Sequence, residues 1–279
     1  MVELPHLPTL DEGQILKYLL TEDQPDWSSL QAHQGFNEKW VVFFLKRSRP
    51  VPRAAVEEIY YHRIFRKHYQ VNLHLMRCRT APPHVSVSLV HSLRWVDLFW
   101  SLRLPYLPGG VRQKIEAFIV EIFPRLAMGE KVSLAKQASR PLIRHLRLCK
   151  EPRVVEAVLG NYFFTFEDAV FMANFPESSA IVLDVLARNK KWLRYKEVRL
   201  ALMRHENTPK AYLLPLGKTL KDHNLRELLR HPKLPLFTRR LIHRILEERF
   251  CIMTGQEPTD EAEVIADNLA PERNQRSES

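Results

Sequence analysis

The chain has 279 residues, 45% of them hydrophobic and 27% charged, with eight glycines, three cysteines and a formal net charge of +10. Scarce glycine beside abundant Leu, Arg, Glu and Ala disfavours β-rich folds and phosphate-cradling loops and favours helices. Cys78, Cys149 and Cys251 are too few and too far apart for a disulfide framework, and no Cys-x-x-Cys pair suggests zinc. The start, MVELPHLPTLDEG, has no basic patch followed by an apolar run, so no signal peptide is expected. The longest apolar stretch, WVVFFL at 40–45, falls far short of a membrane span, and a cytoplasmic location is expected.

In chain order, the first punctuation is LKRSRPVP (45–52). Its pattern Leu-x-Arg-x4-Pro returns as LMRCRTAP (75–82), LMRHENTP (202–209) and LLRHPKLP (228–235), and SLRLPYLP (101–108) keeps the Arg and Pro. Each reads as the end of one helix, a short turn and the start of the next, with proline at the first helical position, where its missing N–H has no intrahelical partner anyway. The nineteen prolines thus punctuate helices instead of opposing them. Between these turns Trp95, Leu98, Phe99 and Leu102 follow i, i+3, i+4, i+7, and Val198, Ala201 and Leu202 follow i, i+3, i+4. Gly109-Gly110 and Met128-Gly129 are predicted turns at which superhelical direction changes. The stretch 129–192 reads as a variable middle of helical pairs. Further on, Thr208 is predicted to cap a helix opened by Pro209, Pro215 to kink or break one, and Asn224 with Glu227 to form a capping box.

The whole predicts helices of 8–16 residues joined by turns of two to six over residues 10–250. Residues 254–279 carry seven acidic and two basic side chains, net −5, and are expected to be an acidic disordered tail in which EAEVIADNLA forms at most a short helix. The rest of the chain then carries +15.

Residues 71–115 and 198–242 align without a gap and share 16 of 45 positions, from Val71/Val198 through Arg77/Arg204, Pro82/Pro209 and Arg103/Arg230 to Ile115/Ile242. This register of prolines, leucines and arginines indicates internal duplication. A helix of such length cannot bury its apolar stripe alone, so fixed-period helical units predict an all-α solenoid over residues 1–253, one stack with a shared core.

EPRVVEAVLGNYFFT, KWLRYKEVRLALMRHENTP and LRELLRHPKLPLFTRR resemble a group of bacterial helical-repeat proteins whose units are like HEAT repeats and the leucine-rich repeat variant. The resemblance implies a HEAT-like α-solenoid over roughly residues 10–250 and brings no catalytic motif with it. The iron–sulfur cysteine cluster associated with the variant repeat has no counterpart, because no cysteine precedes Cys78.

No nucleotide loop, nucleophile elbow or His-Glu-x-x-His is present, the twelve histidines are scattered, and the pairs Glu57-Glu58 and Glu247-Glu248 do not share a helical face. No catalytic residue, cofactor or metal is therefore expected. The informative polar set is Arg47, Arg77, Arg103, Arg204 and Arg230, expected to form ladders along a surface. Each would complement the dipole of the helix it ends, with recognition of phosphates or carboxylates as the competing role. A second candidate surface is Lys190, Lys191 and Arg194 in RNKKWLRYK (188–196), where aromatics interleave with cations as nucleic-acid binding requires. Trp192, aligned with Phe65, is expected in the core. Asp97 near Trp95 and Trp100 admits a glycosylase-like reading, but its partner in the alignment is Asn224, and a helix-cap role is expected for both. The expected function is a non-catalytic scaffold or adaptor that binds another macromolecule, with a protein as the leading partner. Nucleic acid is the alternative, and a HEAT-type DNA repair glycosylase stands behind it.

Overall fold

A computed structural model of the chain describes residues 10–254. Among these residues the protein is all-α, with no strand, and its contacts divide it into two compact units that meet in sequence between Leu126 and Ala127. The first unit holds α1 (Glu12–Thr21), α2 (Trp27–Gln31), α3 (Glu38–Lys46), α4 (Arg53–Tyr61), α5 (Tyr69–Arg77), α6 (Pro83–Leu89), α7 (Trp95–Ser101) and α8 (Gly109–Ile122). The second holds α9 (Met128–Gln137), α10 (Arg140–Leu146), α11 (Pro152–Leu159), α12 (Phe166–Asn174), α13 (Ala180–Arg188), α14 (Lys196–Arg204), α15 (Lys210–Lys218), α16 (Asp222–Leu229) and α17 (Leu236–Thr254). The tail expected at 254–279 lies outside the described residues except for Thr254, which is the last residue of α17.

The prolines do what their sterics demand. Pro52, Pro82, Pro108 and Pro209 occupy the position just before α4, α6, α8 and α15, with φ between −57° and −60° and an extended ψ. They sit one residue earlier than the first helical position expected of them, and the chain enters each helix from a rigid extended step. Elsewhere side chains start the helices: Asp11 and Gln14 form a capping box on α1, and Asp26, Asn37 and Ser179 cap α2, α3 and α13.

Several local expectations are corrected. Gly109-Gly110 and Met128-Gly129 open α8 and α9 instead of forming turns. α15 runs unbroken through Pro215. Thr208 caps nothing, and its hydroxyl donates to the Leu202 carbonyl at 2.6 Å, closing the end of α14. α16 starts at Asp222, so Asn224 and Glu227 lie inside it and form no capping box. Helix lengths run from five residues in α2 to nineteen in α17, which contains neither Pro nor Gly to stop it.

Within each unit, helices pack on the next element and on the one two places along: α5 on α6, and α1 on α3, α3 on α5 and α6 on α8 in the first unit. In the second, α9 packs on α11, α11 on α13, α12 on α14, α14 on α16 and α15 on α17. The first core centres on Trp27, which meets Phe44 and Phe65 edge-on at 5.3 and 5.5 Å. The second includes Trp192, 3% exposed, edge-on to Phe164 at 5.0 Å, with its indole N–H donating to the Leu159 carbonyl at 3.0 Å. Phe65 is fully buried, so both aligned aromatics occupy cores. Burying such side chains contributes roughly 1.5–3 kcal/mol each, which is what holds helices this short together.

The helix starts carry their own regularity. Arg53, Tyr69, Pro83, Trp95 and Gly109 open helices, and so do Ala180, Lys196, Lys210, Asp222 and Leu236, each 127 positions later. The 3-10 turns Phe65–Lys67 and Trp192–Arg194 keep the same offset. So do particular bonds. Arg112 donates to the carbonyls of Leu102 and Leu104, and Arg239 donates to those of Leu229 and His231. Thr80 donates to Val51 O, and Asn207 donates to Ser178 O.

Candidate interaction groove

The repeated arginines do different jobs. Arg47 follows the last turn of α3, its side chain is 0% exposed, and it donates to the carbonyls of Leu19 and Glu22. It also pairs with Asp23 at 2.9 Å and lies over the Phe44 ring. It therefore closes the C-terminus of α1, a neighbour, and presents nothing to a surface. Arg77, at the end of α5, bridges to α7: Nε donates to Ser101 Oγ and Nη2 to the Asp97 carbonyl, both at 2.8 Å, and the Asp97 carboxylate stands 3.7 Å away. Arg103 is exposed and lies over the Trp100 ring at 4.1 Å. Arg204 makes one bond only, a 3.4 Å contact from Nε to Leu200 O in its own helix.

Asp97 is not a helix cap either. It is the third residue of α7, where it accepts the Tyr69 hydroxyl and faces Arg77. Burial and then the bond to Asp97 push the Tyr69 phenol above its ordinary pKa. The Asp97 carboxylate is thus engaged by Tyr69 and Arg77.

In the second unit the ends of α12, α14 and α16 enclose two adjoining hollows of about 400 and 280 Å3 that share Arg204 and His231. The larger is lined by Ala173, Asn174, Pro176, Ala201, His205, Glu206 and Lys233 as well, and the smaller by Leu200, Asn224, Glu227, Leu228, Arg230 and Pro232. Of the expected residues, Arg204 and Arg230 are therefore brought together. Among the described residues neither forms an ion pair, and Lys233 forms none. Asn224 is 6% exposed and its amide makes no hydrogen bond, although it borders the smaller hollow. His231 Nδ1 is buried without a partner. His205 is held by two bonds: Nδ1 accepts the Asn207 N–H at 3.1 Å and Nε2 donates to the Phe175 carbonyl at 2.8 Å. Sequence reasoning missed Asn224 as a groove residue because its letters fit a capping box; its alignment with Asp97 was the usable signal.

Lys190, Lys191 and Arg194 are exposed around the 3-10 turn Trp192–Arg194, with Lys191 Nζ 4.3 Å from the Trp192 ring centre. Tyr195 is 42% exposed there. On the loop between α11 and α12, Tyr162 is 91% and Phe163 48% exposed.

Other reactive groups are quenched. Burial, and then the Glu151 carboxylate, pushes the Cys149 thiol up to about 11, so it is not a thiolate at neutral pH. Asp168, buried between Arg140 and Arg147, resists the upward push of burial because Thr165 and Arg140 donate to it, and its carboxyl stays below the ordinary range. Among the described residues no group of three or more His, Cys, Asp or Glu is placed to hold a metal, and no helix is long and apolar enough to cross a membrane. Comparison of the chain with protein-family models, with curated proteins and with solved structures finds no match.

Proposed function

We propose that the chain is a non-catalytic helical-repeat scaffold of the HEAT-like kind, built from two related modules, and that it binds another protein. The fixed 127-residue offset of helix starts, turns and capping bonds supports the duplication, and packing on the second element along supports a solenoid in each unit. One observation carries the binding role: the second unit holds a groove whose cations Arg204, Arg230 and Lys233 have no ionic partner, while Arg77, the counterpart of Arg204, is neutralised within its own unit. Unpaired guanidiniums beside a free amide suit polar recognition of another chain.

The runner-up is single-stranded nucleic acid on the Lys190, Lys191 and Arg194 surface, favoured by the exposed rings of Tyr162, Phe163 and Tyr195. Affinity capture from lysate of the native cell, with and without nuclease, separates the two. Retention of the same protein in both supports the scaffold. Loss on nuclease treatment, with oligonucleotide binding that persists near physiological salt and disappears in Lys190→Glu/Lys191→Glu/Arg194→Glu, overturns it.

A further inference from the structure

The two units differ at a set of matched positions around one arginine. In the first, Arg77 faces Asp97, Tyr69 donates to Asp97, and Tyr106 donates to the Arg77 carbonyl at 2.9 Å. At the positions 127 further on, Asn224 stands for Asp97, Lys196 for Tyr69 and Lys233 for Tyr106. The carboxylate that neutralises the arginine is gone, and two phenols have become ammonium groups. Arg204 keeps its place at the end of α14, but its terminal nitrogens have no acceptor. Asn224, more than nine-tenths buried, has an amide with no partner at the edge of the same hollow.

We propose that this groove docks a carboxylate of an acidic segment in a partner protein, seated beside Arg204 where Asp97 sits beside Arg77. Arg204 donates from its terminal nitrogens, Asn224 donates from its amide, and Arg230 closes the rim. A guanidinium and a carboxylate match in geometry as well as charge, and the amide supplies a third donor that a carboxylate has the lone pairs to accept. Glu206 and Glu227 also line the hollows, leaving three cations against two carboxylates. That balance suits one or two acidic side chains. It is poor for a nucleic-acid backbone, whose phosphates follow each other closely.

This inference rests on the reading that the chain binds a protein, and its test is separable from that reading. The assay is fluorescence polarisation of the full-length protein with a labelled peptide alternating Asp or Glu with Gly and Ser, its Asn/Gln counterpart, and an oligo-dT of matched length. The informative variant is Asn224→Asp, which supplies from within the carboxylate that the groove awaits. It is expected to fold, since Asp97 occupies the same helical position in α7. The expected result is that the acidic peptide binds, its Asn/Gln counterpart does not, and Asn224→Asp weakens binding at least about tenfold, close to 1.4 kcal/mol. Lys114→Gln removes one charge from an exposed position on α8 in the other unit and is expected to leave binding within about twofold, so that loss in Asn224→Asp is not a net-charge effect. Equal weakening by both variants, no weakening by Asn224→Asp, or oligo-dT binding that Asn224→Asp abolishes would each overturn the proposal. If Asn224→Asp leaves the acidic peptide bound while lysate capture still retains a protein, the scaffold reading survives and the groove assignment falls.

Discussion

Replacing Arg47 by Ala should cost far more stability than replacing Arg204, although both end helices in the same Leu-x-Arg pattern. The Arg47 side chain is 0% exposed and holds the carbonyls of Leu19 and Glu22 at the end of α1. Hydrogen bonds from a charged donor contribute about 1.5–3 kcal/mol each. Asp23 is 40% exposed, so that ion pair adds at most about 1 kcal/mol, and stacking on Phe44 adds about as much. Against this, Arg47 Nε is buried without a partner, a penalty that the substitution relieves. The net loss is about 3 kcal/mol, or roughly 6–12 °C in Tm for a chain of this size. Arg204→Ala forfeits one long bond to its own helix and should stay within about 0.5 kcal/mol. Thermal melting followed by circular dichroism at 222 nm, with the ellipticity of each variant at 25 °C as the folding control, reads both. Equal losses for the two arginines, or a neutral Arg47→Ala, would refute the division of labour drawn above.

His74 on α5 is half-buried, and burial first, then Lys46 and Arg77, pulls its pKa down from 6.5 to about 4. Between those values the unfolded chain takes up a proton that the folded chain refuses, so stability is full well above pH 6.5 and falls as pH drops toward 4, by roughly 1–2 kcal/mol once solvent screening at this half-buried ring is allowed for. Urea titrations at pH 7 and pH 4.5 should show a smaller loss in His74→Leu than in the wild type. Gly217 on α15 offers a contrast with Gly129: a methyl at 217 would meet Ile245 Cδ1 at 2.6 Å and Met203 Cε at 3.3 Å, whereas one at 129 meets nothing within 4 Å. Gly217→Ala should therefore lose about 1 kcal/mol net of its gain in helix propensity, and Gly129→Ala should gain about 0.5 kcal/mol, by chemical denaturation.

The helical class and its punctuation were legible because proline acts through local sterics, and Pro52, Pro82, Pro108 and Pro209 do set helix starts. The correspondence of the units was legible only over 71–115 and 198–242. It reaches back to Arg53 and Ala180, yet 53–64 and 180–191 share no residue in register. What persists there is apolar spacing, which a search for identical letters does not register. Capping was misread at Asn224 because residue pairs three apart occur inside helices as readily as at their starts, and α16 begins two residues earlier. The arginines were misread as a uniform set for a different reason. Position at a helix end is written in local sequence, but the acceptor is not: Arg77 finds its partners 20 and 24 residues further on, and Arg47 reaches back 28 to Leu19.

The Asp97/Asn224 pair also bears on how such a chain changes over generations. Aspartate and asparagine codons are interconverted by a single-nucleotide transition, and the two side chains have nearly the same volume. At positions 127 residues apart, the aspartate faces a paired arginine in one unit and the asparagine stands in place of that aspartate in the other, where, among the described residues, the arginine forms no ion pair. Were the groove the docking site proposed for it, one transition at either position would move the open arginine from one unit to the other, while the balanced unit keeps its internal ion pair.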